Sequence, residues 1–395
     1  MTKQIITKRE FIKKGILGLC GITCGLSFFR AYSDENIFNF NGNYLQRKFL
    51  NPLPGDELWK WSKESYHYIS TARGPKCKIC PNECTPKEGE LSDCRTKIAK
   101  DGKLYSIAYG NPCAVHIDPI EKKPFYHFMP ASTAYSIATA GCNLACLNCQ
   151  NWEISQKSPK ETENYDMMPA DVVKNAIDNK CPSIAYTYSE PMVFYVYTYD
   201  TAKLAHEKGI KNLVHTAGFV YEEPLRDLCK YIDAFSVDLK SFSETIYEKL
   251  NAGKLQTVLN ALKVMKEQKV WIEITNLVIP SWTDDLNMIK KMCNWLCQNG
   301  FADYPLHFSR FMPKYKLMNL PITPVSTLDN ARQIALDAGL KFVYIGNVPG
   351  TAAENTYCPK CKKILIERKG FKILKNNIID NTCKFCKEKI PGIWQ

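Results

Sequence analysis

No apolar run in this sequence is long enough to cross a bilayer comfortably, no G-x-G-x-x-G follows its first strand-like segment, and no fourth cysteine stands near Cys142, Cys146 and Cys149. Each absence argues against a class of protein. A membrane-spanning helix needs about 20 apolar residues, and the run from Gly15 to Phe29 falls short. The missing glycine pattern argues against a doubly wound dinucleotide-binding sheet, where those glycines admit a pyrophosphate. The missing cysteine leaves "GCNLACLNCQNW" with three thiols spaced C-x3-C-x2-C, whereas a structural zinc site is closed by four ligands.

Charge is concentrated at the ends. Residues 1–20 carry five basic residues against Glu10, and residues 358–395 carry ten against three acids, nearly all of the net +12. The body is close to neutral, which makes no strong case for nucleic acid; the tail lysines read as solubilising charge. With 395 residues, 45% of them hydrophobic, the chain can bury one barrel-sized core with smaller attachments.

Residues 1–33 look like a targeting leader: a basic stretch, the short apolar run, then Ala31 and Ser33 where a peptidase could cut. "TKREFIK" is similar to a twin-arginine signal with Lys8 in place of the first arginine. Three readings stand side by side: a cytoplasmic protein, a membrane anchor facing the cytoplasm, and twin-arginine-like export. Residues 34–68 are polar and turn-rich and read as a linker.

Eighteen cysteines are many for an enzyme-sized chain, and eleven of them are clustered. Short C-x2-C steps suit metal chelation in a reducing compartment better than disulfides. Cys77, Cys80, Cys84 and Cys94 punctuate residues 69–133, a small module expected to hold an auxiliary iron–sulfur cluster or a zinc. Cys358, Cys361, Cys383 and Cys386, in residues 346–395, pair as two C-x2-C knuckles around a β-like stretch and read as a zinc ribbon. "HIDPIEKKP", with His116, Asp118, Glu121, Lys122 and Lys123, reads as a solvated hairpin or a loop at a barrel mouth.

From residue 134 to 345 the rhythm changes. Short β-rich runs ("AYSIATA", "SIAYTY", "NLVHT", "AFSVDL", "VWIEITNLV", "PLHFSRF", "KFVYIG") alternate with amphipathic stretches such as "PADVVKNAIDNK" and "LQTVLNALKVMKEQ". Repeated strand–helix alternation predicts an α/β fold with a parallel sheet that closes, or nearly closes, into a TIM-like barrel. Three thiolates can hold three corners of a cubane cluster and leave one iron open for chemistry, unless a distant residue closes it.

At this point the residues resemble the radical SAM enzymes, whose cysteine triplet follows the first strand of a partial (β/α)6 barrel. That resemblance implies a [4Fe-4S] cluster on Cys142, Cys146 and Cys149 and an open iron that binds S-adenosylmethionine. It also implies a one-electron donor, and reductive cleavage to a 5′-deoxyadenosyl radical that abstracts hydrogen from an unidentified substrate. Asn148 stands where such enzymes often carry an aromatic residue. The resemblance points to cofactor-binding residues after successive strands: Ser189 and Glu190 in "TYSEP", Thr216 and Gly218 in "HTAGF", Asp238 and Lys240 in "VDLKS", then Asn276, and His307 with Arg310. Each has a plainer reading: Glu190 can cap the helix opening at Pro191, Asp238 and Lys240 can be a surface ion pair, and His307 a satisfied core histidine.

Longer strings, among them "CKICPNECTPKEGELSDCR", "AGCNLACLNCQNWEISQ", "DAFSVDLKSF", "HFSRFMPKYK" and "NTYCPKC", look like the AmmeMemoRadiSam radical SAM proteins, relatives of the pyruvate formate-lyase activating enzymes. They imply AmmeMemo-type companion proteins as partners or substrates, and leave a glycyl-radical activase as an alternative. A different class, a metal-stapled protein that binds nucleic acid or a protein partner through the basic ribbon, stays open beside them.

Overall fold

The computed structural model describes residues 57–394, so the expected leader and the first part of the expected linker lie outside the described residues. Its frame is an eight-stranded sheet: β1 (Ala114–Pro119), β2 (Thr133–Ala138), β3 (Ser183–Tyr186), β4 (Lys211–Thr216), β5 (Ala234–Asp238), β6 (Trp271–Val278), β7 (Leu306–Arg310) and β8 (Val343–Gly346). Spatial order follows chain order, β2 to β8 run parallel, and β1 pairs antiparallel with β2 at one edge. With β1 and β8 as the two edges, the sheet is the partial α/β barrel that the strand–helix rhythm predicts.

Six helices return the chain between these strands: α1 (Pro169–Asp178), α2 (Tyr195–Glu207), α3 (Glu222–Cys229), α4 (Leu255–Glu267), α5 (Leu286–Gln298) and α6 (Val325–Asp337). Local chemistry sets their starts. Pro169 opens α1, and Asp171 accepts the Met168 N–H at 2.9 Å. Asp285 caps α5 by accepting the Asn287 N–H at 2.8 Å.

The period of two along the strands separates two cores. Tyr135, Ile137, Ile184, Val214, Phe235, Val237, Ile272 and Ile274 face the helices. On the inner face Ala134, Ala185, Leu213 and Ala234, near the amino ends of four strands, receive Phe125 and Phe128 from the segment between β1 and β2. The three alanines make room for the two rings, which close that end. The C-terminal ribbon braces the same segment: Arg368 donates to the Tyr126 carbonyl at 2.9 Å, and Phe128 forms a bridge with Ile393.

Three expectations need correction. The sheet begins before residue 134, because β1 belongs to it. Residues 57–68 are ordered and not a linker: Leu58 and Trp61 are buried, and the Trp61 indole N–H donates to Asp166 at 2.9 Å. "HIDPIEKKP" is no solvated hairpin, since Asp118, Glu121 and Lys123 are all buried and the Asp118 carboxylate takes the Lys123 ammonium and the Tyr188 hydroxyl. Among the described residues no helix is long and apolar enough to cross a membrane.

Candidate active site

The triplet lies on an irregular loop after β2, tied by backbone hydrogen bonds to two distant segments. Ala145 and Leu147 donate to the carbonyls of Asn251 and Leu250 at 3.0 and 2.9 Å, and Lys316 donates to that of Leu147 at 3.0 Å. A π-helical turn at Tyr247–Asn251 presents the Asn251 amide, whose Nδ2 lies 3.2 Å from Cys146 Sγ. The Leu144 N–H lies 3.4 Å from Cys142 Sγ, and Ser155 Oγ lies 3.2 Å from Cys149 Sγ. Burial pushes the Cys142 and Cys146 thiols up, with Lys240 pulling Cys146 the other way.

Several strand-end residues converge beside this loop. Ser189 Oγ donates to the Thr139 carbonyl at 2.7 Å, at the root of the loop. Glu190 accepts from Thr216 Oγ1 at 2.7 Å, from Met192 N–H at 3.2 Å and from Ala217 N–H at 2.8 Å. Burial still raises its carboxyl against those donors. Lys240 Nζ donates to Asp238 Oδ2 at 2.9 Å, and His215 Nε2 lies 3.5 Å from Asp238 Oδ1. Burial opposes the Asp238 charge, but Lys240 and His215 outweigh it and hold the carboxyl well below its ordinary range. Lys240 is influenced by both Asp238 and Cys146, which overcome burial and raise its ammonium.

Four expected residues are held by partners or packing within the chain itself. The plainer reading of His307 is the one the geometry carries: it is buried, and its Nε2 lies 2.7 Å from Glu273, whose carboxylate also accepts the N–H groups of Tyr126 and His127. That places it in the closed amino end of the barrel. Asn276 shares the helix-facing side of β6 with Ile272 and Ile274, and its Nδ2 donates to the Leu239 carbonyl at 2.7 Å, bracing the Asp238–Lys240 segment. Arg310 donates to the Thr323 carbonyl at 2.8 Å. Gly218 has φ +66°, and a Cβ there would stand 3.2 Å from both Val237 and Val258, so packing and backbone conformation account for it.

His215, Asn251 and Ser155 belong to the site without having been expected. His215 shares the inner face of β4 with Leu213, a position the strand period reveals. Asn251 has no local signal, because the π turn sets its direction. Beyond the loop, Trp152 and Tyr315 stack with ring centroids 5.2 Å apart, and Asn148 Oδ1 is buried without a partner.

Residues 136–295 match the family described as the Radical SAM superfamily. The chain belongs to the radical SAM superfamily. Its similarity to the uncharacterized protein MJ0808 of Methanocaldococcus jannaschii is 44% identity over 317 residues, 80% of this chain and 94% of that protein. The pyruvate formate-lyase-activating enzyme of Clostridium pasteurianum is 23% identical over 211 residues, 51% of this chain and 87% of that enzyme. Among solved structures, a domain of a pyruvate-formate lyase-activating enzyme from Bacteroides vulgatus aligns with 41% of this chain and 98% of its own at 19% identity, with a TM-score of 0.36.

A radical SAM enzyme implies a [4Fe-4S] cluster and S-adenosylmethionine, and the donor set fits both. Three thiols with one N–H or O–H partner each suit anionic sulfur, and a lysine beside an acidic pair suits a zwitterionic amino acid. A second metal-capable group lies in the ribbon. Among the described residues Cys358, Cys361, Cys383 and Cys386 bring their sulfurs within 4.8 Å of one another, with Cys358 and Cys386 3.5 Å apart and Cys361 and Cys383 3.7 Å apart.

Proposed function

We propose that Cys142, Cys146 and Cys149 hold the cluster, that Glu190, Asp238 and Lys240 hold S-adenosylmethionine, and that hydrogen is abstracted from a substrate inside the barrel. The observation that carries this is the convergence of a three-thiol loop with a buried carboxylate and an ion-paired lysine from separate strands. When bound, the cluster and its cofactor supply one-electron cleavage of a sulfonium C–S bond and a 5′-deoxyadenosyl radical.

The chain's own residues bind and orient. Two donors occupy Glu190 Oε1 and one occupies Oε2, so Oε2 keeps an acceptor position for the methionyl ammonium. The Lys240 ammonium donates to Asp238 and retains two N–H groups for the cofactor carboxylate. Tyr247 Oη accepts the Lys240 backbone N–H at 2.9 Å and fixes where that side chain starts. The aromatic plug of Phe125 and Phe128 closes the far end and keeps bulk water from the interior.

The ribbon quartet is read as zinc, because a tetrahedral site with Zn–S of about 2.3 Å sets sulfurs about 3.8 Å apart. The long shared strings support a place with AmmeMemo-type companion proteins, as partners or substrates. The likeness to a pyruvate formate-lyase-activating enzyme favours a second reading, in which the substrate is a backbone glycine of a companion protein. Anaerobically reconstituted protein with dithionite and S-adenosylmethionine is expected to release 5′-deoxyadenosine, and the Cys142→Ala, Cys146→Ala, Cys149→Ala variant to release none. Equal product from both would overturn the assignment. An electron paramagnetic resonance signal on an added companion protein would favour the glycyl reading.

A further inference from the structure

Four cysteines outside the proposed active site share their module with one buried lysine. Lys97 is 2% exposed, and its Nζ donates at 3.1 Å to the Val193 carbonyl, which also accepts from Thr96 Oγ1, itself 3.1 Å from Cys94 Sγ. Among the described residues no carboxylate pairs with it. An ammonium buried without a carboxylate partner is costly, and a metal that binds the neighbouring cysteines as thiolates would supply the missing negative charge. The loop is built to present them: the Cys77 N–H donates to the Cys84 carbonyl at 2.9 Å, and Cys94 Sγ lies 3.1 Å from the hydroxyls of both Ser92 and Thr96.

Spacing separates the two metals such a quartet could take. The C-terminal four cysteines have the close sulfurs of a tetrahedral ion and are, among the described residues, the one group of three or more ligand atoms lying mutually within 4.8 Å. No three sulfurs of the N-terminal four lie mutually within that distance. Corner thiolates of a cubane iron–sulfur cluster are about 6 Å apart, since the iron atoms already stand off from the cube centre. The Cys142 triplet is wide in the same way.

The quartet also abuts the triplet. Cys80 packs with Leu144, Ala217 and Phe219, and Cys142 and Cys146 line the edge of the same apolar cluster. Asn82 Nδ2 donates to the Asn143 carbonyl at 2.9 Å, and a Cβ on Gly141 would stand 2.5 Å from the Cys94 carbonyl oxygen. We propose that Cys77, Cys80, Cys84 and Cys94 hold a second, fully ligated [4Fe-4S] cluster, with Lys97 as its fixed counter-charge, back to back with the Cys142 triplet.

The test counts iron, sulfide and zinc in the anaerobically reconstituted full chain and in its Cys142→Ala, Cys146→Ala, Cys149→Ala variant. The variant is expected to retain about four iron and four sulfide, with a reduced-cluster paramagnetic signal that S-adenosylmethionine leaves unchanged. A variant with no iron and a second zinc, or with neither, overturns the proposal. Equal iron in wild type and variant would instead count against the triplet assignment and leave this one standing. Lys97→Met is expected to shift the variant's cluster to a more negative midpoint potential and Lys97→Arg to restore it; an unchanged potential in Lys97→Met overturns the counter-charge.

Discussion

Glu190 holds two roles that sequence reasoning set against each other. Its carboxylate caps the short helical turn at Pro191–Phe194 and also faces the site, gathering Thr216 and Ala217 from β4 and the residue after it. Two substitutions separate the roles. Glu190→Gln keeps one acceptor oxygen and the shape but loses the charge and one acceptor, and is expected to weaken S-adenosylmethionine binding by tenfold or more with a smaller loss of melting temperature than Glu190→Ala. Glu190→Ala leaves buried donors unmet at about 1–3 kcal/mol each and is expected to lose stability as well. Equilibrium binding and thermal melts of both variants check this. Asn276 shows what period alone can say: sharing its face with Ile272 and Ile274 marks it as helix-facing, so its bracing role is legible once the parity is counted. Asn251 is not legible, because a π turn, not a strand, aims it at Cys146.

At the scale of elements, the turn after β2 depends on Gly141, with φ +100° and the Cys94 carbonyl where a side chain would begin. Gly141→Ala is expected to cost about 1–2 kcal/mol from the backbone alone, and more from the contact, so that iron content falls along with the melting temperature. The closed amino end makes the opposite prediction. His307→Ala breaks its pair with buried Glu273, a loss on the order of 3 kcal/mol. Folded variant protein should bind S-adenosylmethionine as wild type does; weakened binding measured below the melting transition would return His307 to the cofactor site. The strand–helix succession that gives the barrel is legible because buried parallel strands and amphipathic helices leave distinct periods. Depth along a strand is not, which is why His307 and Asp238 look alike in the sequence and lie in different networks.

For the whole molecule, three cysteine groups occupy three different places: a triplet at the site, a wide quartet behind it, and a close quartet in the ribbon that braces the amino end. Spacing in the sequence identifies the groups but not their widths, since width depends on how loops from separate segments face one another. It also misses β1, which joins the sheet as an antiparallel edge although its charged residues suggest solvent. The central claim is that the triplet leaves one iron open to S-adenosylmethionine. The most direct measurement is the electron paramagnetic resonance spectrum of the dithionite-reduced protein with and without S-adenosylmethionine. The account predicts that the cofactor changes the wild-type signal and leaves that of the Cys142→Ala, Cys146→Ala, Cys149→Ala variant unaltered. A fully loaded wild-type protein whose spectrum ignores the cofactor would contradict it.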